Sequence, residues 1–399
     1  MVYLLNKMRL SSPLPAIYFC TVVTFCSLYA AQPIQPVFQQ EFGLTSLQAI
    51  LFTTLMMMPL GIAPLFYGIL LESFSARLLV RSAILILGLL EFVFCITDSY
   101  LLLLSIRGVQ GMVIPAILTS LVSYISFTST AEQMQAAIAR YIAATIIGGF
   151  LGRLLSGFFT DLFGWRFFFF VLGVLLVWGF YLLRGLEKDA NLQYSKPNLG
   201  EALGIMRQAR YFWLYSAIFC VFFVFAGALN FLPFALKSIN PAFRETGIGI
   251  MYSGYVMGVV VSLNVRRIIR FFGSETRAVS AGILLYGVGA AGFMITNYQS
   301  MFLCMFVFCT GMFTAHSILS GYVNTLSQGK KGIANGLYIS FYYMGGTIGS
   351  FAPGIIYSYF GWQVFLGNLL LVLCFCLFCV FRLQQSVANF QEEQLTLSP

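Results

Sequence analysis

The chain has 399 residues, 59% of them hydrophobic and 9% charged, with a mean hydropathy of +0.88 and a formal net charge of +9. A soluble domain carries about 25% charged residues, so this composition excludes a soluble globular protein and indicates a polytopic membrane protein. In a soluble protein the positive charge would suggest nucleic acid. Here it is accounted for by basic residues kept on the cytoplasmic side of a bilayer, and no nucleic-acid partner is expected.

Lys7 and Arg9 precede a long apolar run without a small-residue cleavage site, which reads as a retained first helix. Apolar runs of spanning length then fall at 14–36, 46–70, 78–97, 100–126, 134–160, 166–183, 211–236, 246–268, 278–296, 299–325, 333–358 and 364–382. At roughly 20 apolar residues per crossing they predict an all-α protein of twelve transmembrane helices, spans 1 to 12. Spans 3 and 4 part only at Asp98-Ser99, and spans 9 and 10 only at Asn297-Tyr298.

With both termini cytoplasmic, seventeen of the 22 basic residues lie inside. Three, Arg166, Lys237 and Arg244, lie outside, and Arg107 and Arg153 lie within spans. That bias sets the orientation. The polar stretch 184–210, with Pro197 and Gly200, reads as a linker between an amino-terminal six-helix half (1–183) and a carboxy-terminal one (211–383), followed by a frayed polar tail (384–399).

One stretch occurs twice. Tyr141–Arg166 and Tyr338–Gln363 align without a gap and share nine of 26 positions, where about two are expected by chance. The shared residues include Gly148, Gly149, Gly152 and Gly157, matched by Gly345, Gly346, Gly349 and Gly354. A repeat at half the chain length in a hydrophobic protein indicates a transporter of two related halves. Glycines four apart lie on one helical face and admit a neighbouring backbone. They serve either plain packing or, on the sharper reading, gates between the halves, with Arg153 as the unshared residue of the set.

Ionisable groups at membrane depth are functional candidates by default. Arg107 and Gln110 lie on span 4, Glu91 on span 3, His316 with Ser320 on span 10, and Asp161 near the outer end of span 5. Arg153 is expected to meet backbone carbonyls, Asp161 or substrate. Third helices in such architectures lie at the periphery, which argues against Glu91 as a proton carrier. His316 is either a satisfied core residue or a proton or substrate contact. Tyr29, Gln32 and Gln35 are interleaved with Pro33 and Pro36 on span 1, and Asn230 precedes Pro233 on span 7. Neutral groups near proline breaks can bond a ligand without fixing its charge. Tyr338 and Tyr342, with Tyr343, suit either a cavity wall or an interfacial aromatic belt.

The nine cysteines all lie in apolar runs, and Cys374, Cys376 and Cys379 have no histidine or acid nearby. They read as small buried hydrophobes, with no disulfide, metal or cofactor expected. There is no P-loop signature, so ATP is not the expected energy source.

RGVQGMVIPA (Arg107–Ala116) resembles the span 4 motif of the drug:proton antiporter branch of the major facilitator superfamily, and the resemblance to the superfamily covers essentially the whole chain. The loop motif between spans 2 and 3 is degraded. Gly68, Leu70, Glu72 and Arg77 align, but Ser75 and Ala76 stand where Gly and Arg belong, a departure from that loop's charge-relay pattern. YAAQPIQPVFQQEFG (29–43), GGFLGRLLSGFFTDLFGWR (148–166), AHSILSGYV (315–323) and YISFYYMGGTIGS (338–350) are similar to the bacterial YnfM-like group, in which Gly-Arg, as at Gly152-Arg153, replaces the Gly-Pro of other antiporters.

The resemblance implies the major facilitator fold, a midplane cavity between spans 1, 4, 7 and 10, and rocking gates on spans 2, 5, 8 and 11. It implies a monomer in the bacterial inner membrane, exporting a small organic molecule against a proton gradient. The candidate cavity residues are Tyr29, Gln32, Gln35, Arg107, Gln110, Asn230, His316, Ser320, Tyr338 and Tyr342. The candidate proton sites are Glu91, His316 and Asp161. Anionic metabolite or siderophore transport is the alternative that Arg107 and Arg153 favour. A membrane enzyme lacks a nucleophile, base or metal constellation, and a non-transporting sensor would not need the glycine repeat.

Overall fold

The structure, a computed structural model, describes residues 14–129, 131–186, 199–327 and 331–397, with the side chains of 63–73, 126–128, 131, 132, 135, 331, 391 and 393–397 outside the description. Lys7, Arg9, Lys188, Lys196, Pro197 and Lys330 therefore lie outside the described residues, as do the side chains at Gly68, Leu70 and Glu72. The described residues are helical throughout, with no strand.

The first half comprises α1 (Leu14–Tyr29), α2 (Gln35–Glu41), α3 (Ser46–Ser73), α4 (Ala76–Ile96), α5 (Tyr100–Thr128), α6 (Ala131–Phe163) and α7 (Trp165–Leu182). A short α8 (Leu199–Met206) leads to α9 (Ala209–Ile239), α10 (Glu245–Met251), α11 (Val256–Phe272), α12 (Glu275–Gly292), α13 (Tyr298–Leu326), α14 (Lys331–Phe351) and α15 (Gly354–Leu397). Eight of the described segments are long and apolar enough to cross a bilayer unaided, and α1 and the first part of α3 are shorter apolar helices. Span 1 is α1 with α2, span 8 is α10 with α11 and the 3-10 turn Tyr252–Tyr255 between them, and the remaining spans follow in order.

Several expected spans are not continuous rods. Span 1 breaks at residues 30–34, where Pro33 supplies no amide hydrogen, and Pro36 sits in the first turn of α2. Ala30 to Gln35 are all buried, so the irregular backbone is enclosed by protein, as a bilayer demands. Span 11 breaks at Ala352-Pro353. The end of the repeat has a conformational cause. Gly164 (φ 81°) and Gly361 (φ 76°) both occupy a region closed to residues with a side chain, and each turns the chain sharply into the next span. The tail differs from expectation. Helix α15 continues to Leu397, well past Arg382.

Packing repeats between the halves. Helix α1 lies on α6 as α9 lies on α14; α4 lies on α7 as α12 lies on α15; α3 lies on α5 as α11 lies on α13. The halves meet along two equivalent seams, α3 with α14 (spans 2 and 11) and α6 with α10 (spans 5 and 8). Large apolar side chains such as Leu263, Phe271, Ile96 and Phe360 stay exposed, a surface that lipid can cover.

Candidate functional site

The paired glycines divide between the two readings, four serving packing within a half and others lying on the seams between the halves. A Cβ at Gly152 would approach Cys26 Cα on α1 to 2.6 Å, and Gly148 faces Val22 and Phe25 of the same helix. Their copies Gly345 and Gly349 face Phe219 and Phe223 of α9. These four glycines therefore weld span 5 to span 1 and span 11 to span 7, within each half. In lipid, where little hydrophobic force acts between helices, such backbone approach holds a half together. Gly149 faces Tyr29 and the guanidinium of Arg153. The glycines on the seams are Gly157 against Glu245, Gly354 against Leu47 and Phe231, and Gly346 against Phe222 and Met57. Two more, unread from the sequence, are Gly249 against Arg153 and Leu154, and Gly61 against Met344.

Arg153 stands at the centre of the α6–α10 seam with only 1% of its surface exposed. Nε donates to Gln32 Oε1 and Nη1 to Gly149 O, both at 2.5 Å. The guanidinium carbon lies 3.9 Å from the ring centre of Tyr29, 4.6 Å from that of Tyr255 and 5.2 Å from that of Tyr252. A glutamine, a carbonyl and three aromatic faces thus receive the cation, and the expected pairing with Asp161 is not made. Tyr252 and Tyr255 escaped the sequence reading. Their spacing of three places them on one helical face, a signal available in the sequence.

Asp161 is engaged elsewhere. Its carboxylate accepts from Glu245 N (3.2 Å), Thr246 N (2.9 Å) and Thr246 Oγ, and lies 3.4 Å from Arg244 Nε. It caps the first turn of α10 from the opposite half. On the other seam Thr54 and Ser350 share a hydroxyl hydrogen bond of 2.7 Å. Between the seams Gln35 Nε2 donates to Thr53 Oγ1 (2.9 Å) and across to Asn230 Oδ1 (3.0 Å).

Arg107 and Gln110 do not reach the seams. Arg107 is fully buried inside the first half, donating to Phe52 O (3.1 Å), Gln110 Oε1 (2.9 Å) and Ser27 O (3.5 Å), with Phe94 and Phe169 against its faces. Glu91 is fully buried too: span 3 packs on spans 4 and 6, away from the seams as expected of a third helix, but turns this carboxylate into the first half. The carboxylate accepts from Ser27 Oγ and lies within electrostatic reach of Arg107. Ser27 thereby joins the acid and the base, one by its hydroxyl and the other by its carbonyl.

His316 and Tyr338 are brought together, with the phenol 3.1 Å from both His316 Nδ1 and His316 O. Tyr342 lies flat on Phe222, ring centres 3.9 Å apart, and 4.7 Å from the His316 ring. Tyr338 is buried in the protein. Tyr342 and Tyr343 are half-buried and within electrostatic reach of Tyr29, so the aromatic wall adjoins the Arg153 cage. Ser320 bonds its own helix, donating to Ser317 O, and no contact with His316 is made.

All three basic residues assigned to the outer side have acid partners. Arg166 pairs with Glu41 (2.6 Å) and Asp98 (2.5 Å), Lys237 with Glu245 (2.7 Å), and Arg244 with Asp161. The repeated tryptophans pin the same end: Trp165 donates to Glu41 and Trp362 to Phe293 O.

The repeated halves, the twin seams and the buried polar core define a membrane carrier, and comparison with known proteins agrees. The sequence model of the Major Facilitator Superfamily matches residues 17–277 and 242–395, so the chain belongs to that superfamily and is a multi-pass membrane transporter. It is 24% identical to an uncharacterized transporter of Buchnera aphidicola subsp. Schizaphis graminum over 91% of this chain and 89% of that one. It is 24% identical to the inner membrane transport protein YnfM of Escherichia coli K12 (87% and 84%) and 23% to the quinolone resistance protein NorA of Staphylococcus aureus (86% and 89%). Among solved structures, a bacterial homologue of the human lysosomal transporter Spinster, inward-facing and occupied, superposes with a TM-score of 0.78 at 12% identity over 96% of this chain and 98% of that one. The nucleoside transporter NupG superposes with 0.73 at 14% identity (94% and 100%). At such identities the structural likeness concerns the fold.

Proposed function

We propose that the protein is a secondary active transporter that moves a small organic molecule across the bacterial cytoplasmic membrane by alternating access, in proton-coupled efflux. The observation that carries this reading is the pair of seams. Residues Leu47 to Gly61 of α3 run against Gly354 to Met344, and Gly157 to Arg153 of α6 run against Glu245 to Tyr255. Together with the Gln35–Asn230 and Asp161–Thr246 bonds they close the molecule toward one end. The basic-residue bias makes that end the outside, with both termini cytoplasmic. In this state the aromatic wall is offered to cargo from within the cell. Rocking the halves about this contact would expose it outward. The protein acts by binding and movement rather than by catalysis, and as a monomer.

The coupling proton is assigned to Glu91. A buried carboxylate beside a buried arginine changes the charge of the first-half core when it gains or loses a proton, and Ser27 links that change to span 1 next to Tyr29. His316, hydrogen-bonded to Tyr338 on the aromatic wall, is the second site to test. The experiment is flux into proteoliposomes of cationic dyes, sugars and aromatic carboxylates, each with and without an imposed pH gradient. Glu91→Gln is expected to remove the response to the gradient while leaving counterflow exchange. A gradient response intact in Glu91→Gln refutes this assignment, and gradient-independent flux of the unaltered protein refutes proton coupling.

A further inference from the structure

The cations of the spans and their outer ends differ in one respect. Arg107 has Glu91 within electrostatic reach, though not in ion-pair contact; Arg166 has Glu41 and Asp98; Lys237 has Glu245; Arg244 has Asp161. Arg153 is buried as deeply as Arg107, yet no acid pairs with it among the described residues. Asp161, eight residues further along the same helix, is spent on the first turn of α10. The bonds to Gln32 and Gly149 hold two of the five guanidinium N–H groups, and the Tyr29 hydroxyl is a further neutral partner within reach. Aromatic faces attract a cation but do not neutralise it. A charge buried in this way is costly unless a counter-charge arrives.

We infer that the counter-charge is supplied by the cargo: the transported molecule is an organic anion with an aromatic or planar apolar body, its acidic group binding Arg153. This rests on the transporter reading above and names its substrate class. The half-buried Tyr342, stacked on Phe222 and within electrostatic reach of Tyr29, supplies an apolar aromatic neighbour for the body of such a molecule. A planar guanidinium takes a carboxylate in a two-point contact, which an ammonium group cannot match. Binding also has a mechanical consequence. Tyr29 belongs to one half and Tyr252 and Tyr255 to the other, so the cage bridges the α6–α10 seam. An anion that takes over the guanidinium weakens the hold of the span 8 tyrosines. It thereby supplies the difference in affinity between two states that a ligand needs to shift their balance. The copy of this position, Ser350, holds only neutral hydrogen bonds, with Thr54 Oγ1 and to Thr347 O, so the anion site belongs to one seam alone.

The test uses the purified full chain and three matched probe sets: 1-naphthoate, indole-3-acetate and 4-hydroxybenzoate, each with its neutral amide and its amine analogue. Thermal stabilisation reports binding, and counterflow in proteoliposomes reports transport. At least one carboxylate is expected to bind and to counterflow, with its amide and amine at least ten-fold weaker. Arg153→Gln should lose at least ten-fold in affinity for that carboxylate, Arg166→Gln should keep it, and Arg153→Lys, which retains the charge, should fall between. If Arg153→Gln does not fold, Arg153→Lys and the amide series still decide. Equal binding of amide, amine and carboxylate, no carboxylate bound, or unchanged affinity in Arg153→Gln or Arg153→Lys overturns the inference. A carboxylate that binds through Arg153 but never counterflows upholds the anion site and contradicts the transporter reading. Charge-blind counterflow upholds the transporter and contradicts the anion site.

Discussion

The two seams occupy equivalent places and are built differently. Spans 2 and 11 meet through small residues, methionines and one hydroxyl pair, Thr54–Ser350. Spans 5 and 8 meet through a buried cation, the two tyrosine faces of Tyr252 and Tyr255 and a carboxylate that caps the facing helix. A net neutral hydrogen bond contributes about 0.5–1.5 kcal/mol, and a desolvated cation–π contact about 2 kcal/mol. Arg153 has three such faces and no counter-ion. The contrast teaches that twin gates need not do twin work: one seam is a greasy bearing, the other a charged contact that a ligand or a mutation can release.

The largest expected effect separates seam from weld. Gly152→Leu pushes a side chain into the Cys26 backbone, and overpacking a tight site costs about 1–3 kcal/mol or more. It should cost folded protein, read as lost monodisperse material on size exclusion. Gly157→Leu, on the seam, should fold and instead open the outer end, read as faster labelling of cysteines introduced along α10. The reverse pattern would move the gate into the halves.

Next comes the asymmetry itself. Arg153→Gln should reduce flux at least ten-fold, and Ser350→Ala less than about three-fold, the loss matched to a single hydroxyl bond of ~0.5 kcal/mol. Equal losses would make the seams equivalent in function as in place. A finer cut comes at Tyr255. Tyr255→Phe keeps the ring face and should transport normally, while Tyr255→Leu removes a contact of about 0.5–2 kcal/mol and should slow flux several-fold. If phenylalanine fails as leucine does, the hydroxyl and not the face carries the contact. The smallest effect is expected at Arg166. Its half-exposed pairs with Glu41 and Asp98 are worth about 0.2–1 kcal/mol, so Arg166→Gln should lower the melting temperature slightly and leave flux unchanged. A flux loss equal to that of Arg153→Gln would make both arginines general charges.

Much of the fold was legible because lipid imposes simple rules. Span lengths and the repeat follow from hydropathy and residue identity, whereas the caps at Ser75, Ser274 and Asn297, short polar side chains that accept the first free amides, emerged only with the structure. The break at 30–34 was signalled by Pro33 and Pro36, yet an apolar run alone reads as one rod. The site was legible residue by residue but not in its partnerships. Arg153, Gln32 and Tyr29 were visible as polar groups in apolar helices, and hydropathy does not say which face of span 5 meets which neighbour. Two glycines four apart indicate close packing without naming the partner helix, which is why packing and gating are both open on the sequence alone and only the structure supplies the partner, span 1. Tyr252 and Tyr255 were overlooked because tyrosine in a membrane helix is ordinarily unremarked. They matter only through the cation that span 5 brings to them. Arg107, identified by its motif, faces inward to Ser27 and Glu91, a direction that no one-dimensional pattern gives.

The claim that the α6–α10 seam opens and that Arg153 holds it closed is tested most directly by pulsed electron–electron resonance. Spin labels are placed at the exposed outer-end positions Phe163, at the end of α6, and Ala242, just before α10, in a cysteine-depleted background in lipid. The account predicts a short distance population in the resting protein and a longer one that grows in Arg153→Gln but not in Ser350→Ala. A single distance unchanged by Arg153→Gln, or equal shifts in both variants, would contradict it.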